Sequence, residues 1–346
     1  MFASASPQAG RDPWSDETEP AGFPPPRSGP GFDDPVGPRK RRPRRSGGGG
    51  PSVYSPEEDD EFDDEEEEEE IEPVEINQRL SLTVAGFAAL LGVGLVLGAQ
   101  TTGPGHRLPF AVVIFGVQLL FVLAWTMATR PPALLAVAGV AALTAVAVDT
   151  VAVRAAEPGL SPLLYVAVAA FVVALLAQLV RPADRRRLTD SLGTTGVIVA
   201  GVTAFATLIP LGRIPAGTQT ITIALTATAL ALAVARITDA LLPWPRLAPQ
   251  VPRGAAGVVL GAMLGTLAGS VLGSFLVGFT PTSGALIGLV TAATAVLADL
   301  AVGYAEAGRL MAGEPPTLWI ARHMQGPLGG IALAAPTAYV VCVLFL

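Results

Sequence analysis

Nine long apolar stretches constrain the fold of this chain more than any other feature of its sequence. A helix that crosses about 30 Å of hydrocarbon needs roughly 20 mostly apolar residues, and each stretch has about that length. The predicted spans are 80–99, 109–128, 132–153, 162–180, 193–212, 218–241, 256–278, 284–304 and 328–346. Only 15% of the residues are charged, whereas a soluble domain usually carries about a quarter. The sequence therefore predicts an all-α polytopic membrane protein with residues 79–346 as its transmembrane domain.

The first 78 residues differ from the rest of the chain in charge. They hold 21 acidic and 8 basic residues, a net charge of −13, whereas residues 79–346 carry a net charge of +6. Residues 1–56 are rich in Pro, Gly and Ser, and so few aliphatic residues cannot offset the entropy of ordering the chain. We therefore expect residues 1–78 to form a disordered, charged cytoplasmic tail.

Two charge runs lie within this tail, a basic cluster at 39–45 and an acidic run at 57–72. Attraction to anionic headgroups, at about 1 kcal/mol per charge, is one interpretation of the basic cluster. Loose pairing with the acidic run, or a solubilising role, is the favoured one. The acidic run lacks the turn-forming Gly of a calcium loop, so a solvated spacer is favoured over a metal site. The tail is where we expect a cytoplasmic protein partner to dock. The basic cluster is too small to predict a nucleic-acid partner.

The loop arginines predict the orientation of the spans. Nine of them fall on one side of the predicted topology and three on the other, and positive loops favour the cytoplasm. The nine are Arg130, Arg181, Arg185, Arg186, Arg187, Arg246, Arg253, Arg309 and Arg322, and the three are Arg107, Arg154 and Arg213. We therefore expect a multi-pass protein of the inner (plasma) membrane, with its N-terminus cytoplasmic and its C-terminus outside.

Ionisable residues at span ends are costly and so mark candidate functional positions. Arg236 and Asp239 close the sixth span, and Asp299 lies in the eighth. Two carboxylates that converge at the membrane surface could hold a divalent metal, with Mg²⁺ recruiting substrate phosphates. An intrahelical pair between Asp239 and Arg236, three residues apart, is the favoured alternative. Asp299 could pair with Arg236 or with an arginine of a neighbouring helix.

The proline-rich connector between the sixth and seventh spans supplies further cations. TDALLPWPRLAPQVPRGAAG, residues 238–257, carries Arg246 and Arg253, which with Arg236 are candidates for binding an anionic lipid or phosphate. Asp149 closes the third span on the outer side, where we expect it to reach water. The two histidines, His106 and His323, are too far apart in sequence to predict a metal-binding cluster.

Small residues follow a regular spacing in the seventh span. Glycines recur every four residues at Gly257, Gly261, Gly265, Gly269 and Gly273. Residues four apart drift slowly around a helix, so these glycines form one inclined groove. Such grooves let another helix approach closely, and tight helix packing is favoured over a ligand site. The packing partner could belong to the same chain or to a second copy in a homodimer.

The C-terminal region resembles the phosphatidate cytidylyltransferase (CDP-diacylglycerol synthase) family over residues 218–346. That family has an Asp at a span end followed by a stretch similar to L-A-P-x-I-S-P-K-K-T-x-E-G, and Asp239 is followed here by LAPQVPRGAAG. Its G-D-L-x-x-S-x-x-K-R segment is similar to ADLAVGYAEA, residues 298–307. Its H-G-G-x-x-D-R-x-D-S segment corresponds in place to GPLGGIALAAP, residues 326–336. The resemblance implies a scaffold for condensing phosphatidic acid with CTP, with Mg²⁺ as cofactor if the protein is active.

The departures from the family pattern fall on the reactive groups. The paired lysines become Arg253 and Gly254, the later Lys becomes Glu306, and the D-R-x-D-S residues become GPLGG from Gly326. Only Asp239 and Asp299 match the family as metal ligands. Nucleotidyl transfer depends on neutralising developing negative charge, and each lost group typically costs a few kcal/mol in the transition state.

These observations favour a catalytically degenerate protein that binds a lipid or a partner in membrane or envelope lipid metabolism. One alternative is an active phosphatidate cytidylyltransferase that uses Asp239 and Asp299. A transporter or lipid translocator is the second alternative, but the polar residues cluster at span ends rather than at mid-span, where transporters place their sites. Residue usage rich in Ala, Arg, Gly and Pro is compatible with a bacterial source of high GC content.

Overall fold

A computed structural model describes residues 74–102, 107–179, 188–315 and 317–345. Within these ranges the chain forms ten helices and one two-stranded hairpin. The helices are α1 (Gln78–Thr102), α2 (Arg107–Thr129), α3 (Leu134–Arg154), α4 (Ser161–Leu179), α5 (Leu188–Ala206), α6 (Leu208–Leu211), α7 (Gly217–Leu241), α8 (Ala255–Phe275), α9 (Pro281–Met311) and α10 (Trp319–Phe345). The hairpin consists of β1 (Arg246–Ala248) and β2 (Val251–Gly254) and lies between α7 and α8. The basic cluster and the acidic run of the tail lie outside the described residues.

Nine of the described helices are long and apolar enough to cross a membrane, which confirms the predicted all-α, multi-pass fold. The single-turn helix α6 continues the fifth span beyond α5. The largest difference from the predicted spans concerns the last two. Helix α9 continues to Met311 and α10 begins at Trp319, so the predicted loop 305–327 was too long. Hydropathy marks where a helix stops being apolar, whereas these two helices continue as charged segments joined by the Arg322–Glu306 ion pair.

Helix α7 is the centre of the half of the bundle that carries the candidate residues. A larger share of α7 is buried than of any other described span, and it packs against α1, α8, α9 and α10. Its sequence from Gly217 to Leu241 is dominated by Ala, Thr and Leu, so the small residues let four neighbouring helices come close. A second set of contacts joins α3 to α2, α4 and α5, and α10 touches both sets.

The glycines of α8 lie against helices of the same chain. All five are buried, although the larger residues between them are mostly exposed. A Cβ atom at Gly261 would lie 2.6 Å from the carbonyl oxygen of Ala231 in α7. A Cβ atom at Gly265 would lie 2.8 Å from the carbonyl oxygen of Ala227, and Gly269 packs directly on the backbone of Gly284 in α9. The glycine groove therefore places α8 in backbone contact with α7 and α9.

The buried carboxyl group of α3 lies inside the bundle. Asp149 is only 6% exposed, so the expectation that it reaches water is wrong. The Gln118 side chain of α2 donates a hydrogen bond from Nε2 to Asp149 Oδ1 at 2.9 Å and another to the carbonyl oxygen of Val202 at 3.0 Å. The packing of α2, α3 and α5 encloses these polar groups, and a position near a helix end does not by itself give access to water.

Candidate functional site

The candidate site lies where the C-terminal end of α7, the hairpin and the middle of α9 meet. Arg236 and Asp239 come from the last two turns of α7, and Arg253 comes from β2. Asp299 lies in α9, twelve residues before its last residue, Met311. The two aspartates predicted as a pair are therefore brought together by three separate elements.

The connector folds as a hairpin, which turns Arg253 inward. β1 and β2 are antiparallel, with Arg246 opposite Gly254 and Ala248 opposite Val251. A hydrogen bond from the Ala255 amide to the Pro245 carbonyl oxygen, 2.9 Å long, closes the base of the hairpin. Alternate residues of a strand point to opposite faces. Val251 and Arg253 are accordingly buried, whereas Pro252 between them is exposed.

Arg253 bridges the two aspartates through its two terminal nitrogens. Its Nη1 donates a hydrogen bond to Asp239 Oδ2 at 2.9 Å, and its Nη2 donates to Asp299 Oδ2. The remaining oxygens are also taken. Arg236 donates from Nε to Asp299 Oδ2 at 3.1 Å and from Nη2 to Asp299 Oδ1. The backbone amide of Gly254 donates to Asp239 Oδ1 at 2.9 Å. All four carboxylate oxygens therefore accept hydrogen bonds from groups of this chain.

The four side chains form a charge-balanced cluster with little access to water. Asp239 and Arg253 are each 2% exposed and Asp299 is fully buried, whereas the side chain of Arg236 keeps 16% exposure. Burial, and then the neighbouring positive charge of Arg236, lower the pKa of Arg253 from its ordinary value, against the opposing effect of the two aspartates. Because buried charges are tolerated only when they are paired and hydrogen-bonded, removing any one partner should be costly.

Two glycines make room for the cluster. A Cβ atom at Gly326 of α10 would overlap Asp299 Oδ1 and would lie 2.9 Å from Nη2 of Arg236. A Cβ atom at Gly257 of α8 would overlap Asp239 Oδ1 and would lie 2.8 Å from the Ala235 carbonyl oxygen. The first residue of the GPLGG segment therefore has a direct steric role, because no side chain can stand at position 326 while the ion pairs are in place.

A cavity of about 220 Å³ adjoins the cluster. Arg236 and Arg253 form part of its wall, and Arg322 and Glu306 form another part. Arg322 donates from Nε to Glu306 Oε1 at 2.7 Å and also from Nη2. The remaining lining comes from the start of α1, the hairpin and the facing surfaces of α9 and α10: Val74, Glu75, Ile76, Asn77, Leu80, Ser81, Val84, Gln250, Pro252, Val302, Gly303, Ala307, Leu310, His323 and Gly326.

Two arginines of the cavity wall each have a guanidinium nitrogen outside the hydrogen bonds of the cluster. Nε of Arg253 is buried and has no partner. Nη1 of Arg236 takes no part in the two hydrogen bonds that this side chain makes, both of which go to Asp299. Of the two arginines, Arg236 keeps access to its surroundings, because its side chain is 16% exposed whereas that of Arg253 is 2% exposed.

The donor set of the cluster does not fit a divalent metal. Mg²⁺ requires near-octahedral oxygen ligands at about 2.0–2.1 Å, and the oxygens of Asp239 and Asp299 are already used by cationic and amide donors. A guanidinium group lies between the two carboxylates, in the position that a shared cation would need. Among the described residues, no third Asp, Glu, His or Cys joins them in a group that could hold a metal ion.

The other candidate residues lie elsewhere. Arg246 is outside the cluster: its guanidinium lies 5.5 Å from the centre of the Trp244 ring, and Nη1 donates to the Val74 carbonyl oxygen. The favoured intrahelical pair is not formed, because Arg236 turns to Asp299 across the helix interface and Asp239 binds Arg253 instead. Of the five spaced glycines, only Gly257 touches one of the four charged side chains.

Sequence reasoning did not predict the Arg322–Glu306 pair or the segment that starts at Val74. The Val74 amide donates to the Pro249 carbonyl oxygen at 3.0 Å, so the residues just before α1 lie along the hairpin. Both features bring distant parts of the chain together. The only signal in the sequence was the opposite charge of Glu306 and Arg322. Both residues fell within the loop predicted between the eighth and ninth spans, so no contact between helices was expected there.

None of the known families, curated proteins or solved structures compared with this chain matches it. The likeness to CDP-diacylglycerol synthases therefore rests on the order of the sequence motifs alone.

Proposed function

We propose that this protein binds the anionic phosphate headgroup of a membrane lipid in the arginine-lined cavity and does not catalyse nucleotidyl transfer. The observation that carries the proposal is the convergence of three arginines, Arg236, Arg253 and Arg322, on the wall of one cavity of about 220 Å³. A phosphate oxygen is a strong acceptor and guanidinium groups are its preferred partners. The sequence resemblance of residues 218–346 to the CDP-diacylglycerol synthases supports a role in membrane or envelope lipid metabolism.

The position of the cavity supports a lipid rather than a water-soluble ligand. Arg236 lies less than two turns from the end of α7, so the cavity lies near the end of a span, at the level expected for headgroups. Its wall combines these cations with apolar side chains such as Leu80 and Val302. A ligand with an anionic head and an apolar body matches this combination.

The non-catalytic part of the proposal is supported by the state of the two aspartates. Catalysis of phosphoryl-type transfer depends on cations that neutralise the charge developing on the substrate. The guanidinium groups of Arg236 and Arg253 are already engaged by Asp299 and Asp239. Glu306 adds a negative charge to the cavity wall, which disfavours a triphosphate more than a lipid monophosphate.

Lipid retention by the purified full-length protein tests the binding. We expect native mass spectrometry to show retained phosphatidic acid and little phosphatidylcholine. Arg322→Gln should weaken retention about tenfold because a charged hydrogen-bond donor is lost, and Glu306→Gln should strengthen it because a repulsive charge is removed. Arg154→Gln, which changes an exposed arginine at the far end of α3, should leave lipid retention unchanged.

Equal retention of both lipids by wild type and the three variants would refute the proposal. Displacement of the lipid by inorganic phosphate would identify a free anion as the ligand.

A turnover assay tests the second part. The protein is supplied with phosphatidic acid, labelled CTP and Mg²⁺, and we expect no CDP-diacylglycerol. Product that disappears in Asp239→Ala and Asp299→Ala would overturn the non-catalytic reading and establish the active cytidylyltransferase instead.

A further inference from the structure

Two arginines supply the charge that a divalent cation would supply between the two aspartates. Asp239 and Asp299 together carry two negative charges, and Arg253 and Arg236 carry two positive charges. The guanidinium of Arg253 contacts both carboxylates, and that of Arg236 donates further hydrogen bonds to Asp299. The cluster is thus neutral as a whole without any ion from solution.

The surrounding residues are arranged to accommodate the cluster, so the ion pairs are not an accidental contact. Three elements of the chain converge on it, and Gly254 contributes its amide as well as its place in the hairpin. Positions 257 and 326 are glycine, and a side chain at either position would collide with one of the carboxylates. Any acidic residue at position 326, which could have served as another metal ligand, would overlap Asp299 in this packing.

We infer that Arg253 and Arg236 replace a divalent cation at the Asp239–Asp299 pair, which makes this site independent of metal ions and closed to them. The replacement is coupled to glycine at position 326, because a side chain there would overlap Asp299 and come within 2.9 Å of the Arg236 guanidinium that pairs with it. The arginines hold α7, the hairpin and α9 together with fixed geometry. This inference concerns the cluster itself and stands whether or not a lipid occupies the adjoining cavity.

The wild-type protein gives the first test, by thermal unfolding in detergent. The Tm should be the same in EDTA and in about 10 mM Mg²⁺, once ionic strength is matched with NaCl to equalise screening. Mn²⁺ added as a paramagnetic probe should bind wild type and Asp239→Asn to the same extent by electron paramagnetic resonance, because any Mn²⁺ attracted by the acidic run 57–72 is common to both. A Tm that falls in EDTA, or stoichiometric Mn²⁺ binding that is lost in Asp239→Asn, would overturn the inference.

Removing the bridging guanidinium gives the sharper test. Arg253→Ala leaves two buried carboxylates facing one gap, so its Tm should fall below wild type and then rise by about 5 °C or more in Mg²⁺, with more Mn²⁺ bound than in wild type. The matched control is Arg322→Ala, which uncovers a single carboxylate, Glu306, at the same cavity and should gain no cation-specific stabilisation. If Arg253→Ala does not fold, Arg253→Gln fills part of the gap with an uncharged polar side chain and should show the same rescue. A folded Arg253 variant indifferent to both cations would contradict the replacement.

Discussion

At the scale of single residues, the buried aspartates of the described part of the chain differ in how many of their carboxylate oxygens accept a hydrogen bond. Asp239 and Asp299 are fully satisfied by arginines and a backbone amide. Asp149, by contrast, accepts one hydrogen bond from Gln118 at Oδ1, and its Oδ2 has no partner. A buried acceptor without a donor is destabilising, so Asp149 is retained at a cost in stability that the bridged aspartates do not impose.

Replacing Asp149 with Asn tests this contrast. The amide has the same shape and can still accept from Gln118 through its oxygen, and it replaces a buried carboxylate by a group without charge. We expect the free energy of unfolding to stay the same or rise by about 1 kcal/mol. Asp149→Leu, which loses the hydrogen bond from Gln118 as well, should be less stable than wild type. Thermal unfolding of both variants checks the prediction, and a marked drop in Tm for the Asn variant would show that the negative charge itself is needed.

At the scale of elements, α8 is held by backbone contact rather than by large side chains. Its glycines face α7 and α9, and the intervening Val259, Met263 and Leu267 face outward. In lipid there is little hydrophobic gain from helix association, so close van der Waals contact supplies the stabilisation. The same close approach sets Gly257 against Asp239 and thereby helps to position the charged cluster.

Adding one methyl group at two different glycines tests the contact. In Gly269→Ala the new Cβ would lie 2.8 Å from the Cα of Gly288 in α9, so α8 must shift and we expect a loss of about 1–3 kcal/mol. The control, Gly116→Ala in α2, has open space at its Cβ and should be neutral or slightly stabilising. Equal melting temperatures for the two variants would mean that the groove is not tightly packed in the membrane.

At the scale of the whole molecule, nine apolar helices within the described residues make it a multi-pass membrane protein. An odd number of spans places the two ends of the transmembrane domain on opposite sides of the bilayer. The arginine distribution predicts a cytoplasmic N-terminus and a C-terminus outside. With this predicted orientation, we expect the hairpin and the arginine-lined cavity to lie on the cytoplasmic side.

Reporter fusions test the orientation. A phosphatase that is active only outside the cytoplasm should be active when fused after Phe345 and inactive when fused before Val74. Cytoplasmic activity of a reporter at the C-terminal position would show that a span is missing or that the topology is inverted, and the cavity would then face the other side.

The number and type of the spans could be predicted from the sequence because they depend on local properties. Twenty or so apolar residues in succession have only one stable form in a bilayer, a helix whose backbone hydrogen bonds are internal. The four-residue glycine spacing is equally local, and it predicted a close helix contact. Helix ends were predicted less well, since Glu306 and Arg322 pair beyond the apolar stretches and extend both helices.

Only the tertiary structure decided the partners of the candidate residues. The sequence singled out Arg236, Asp239, Arg253 and Asp299 as costly charges at span ends, but spacing favoured the local pair of Arg236 with Asp239. In the fold, Arg236 binds a residue 63 positions away and Arg253 binds one 46 positions away. A buried charge takes the partner that satisfies its geometry after the helices have packed. The membrane spans are thus determined by local sequence. The arginine bridge between the two aspartates forms only because α7, the hairpin and α9 meet in the tertiary structure.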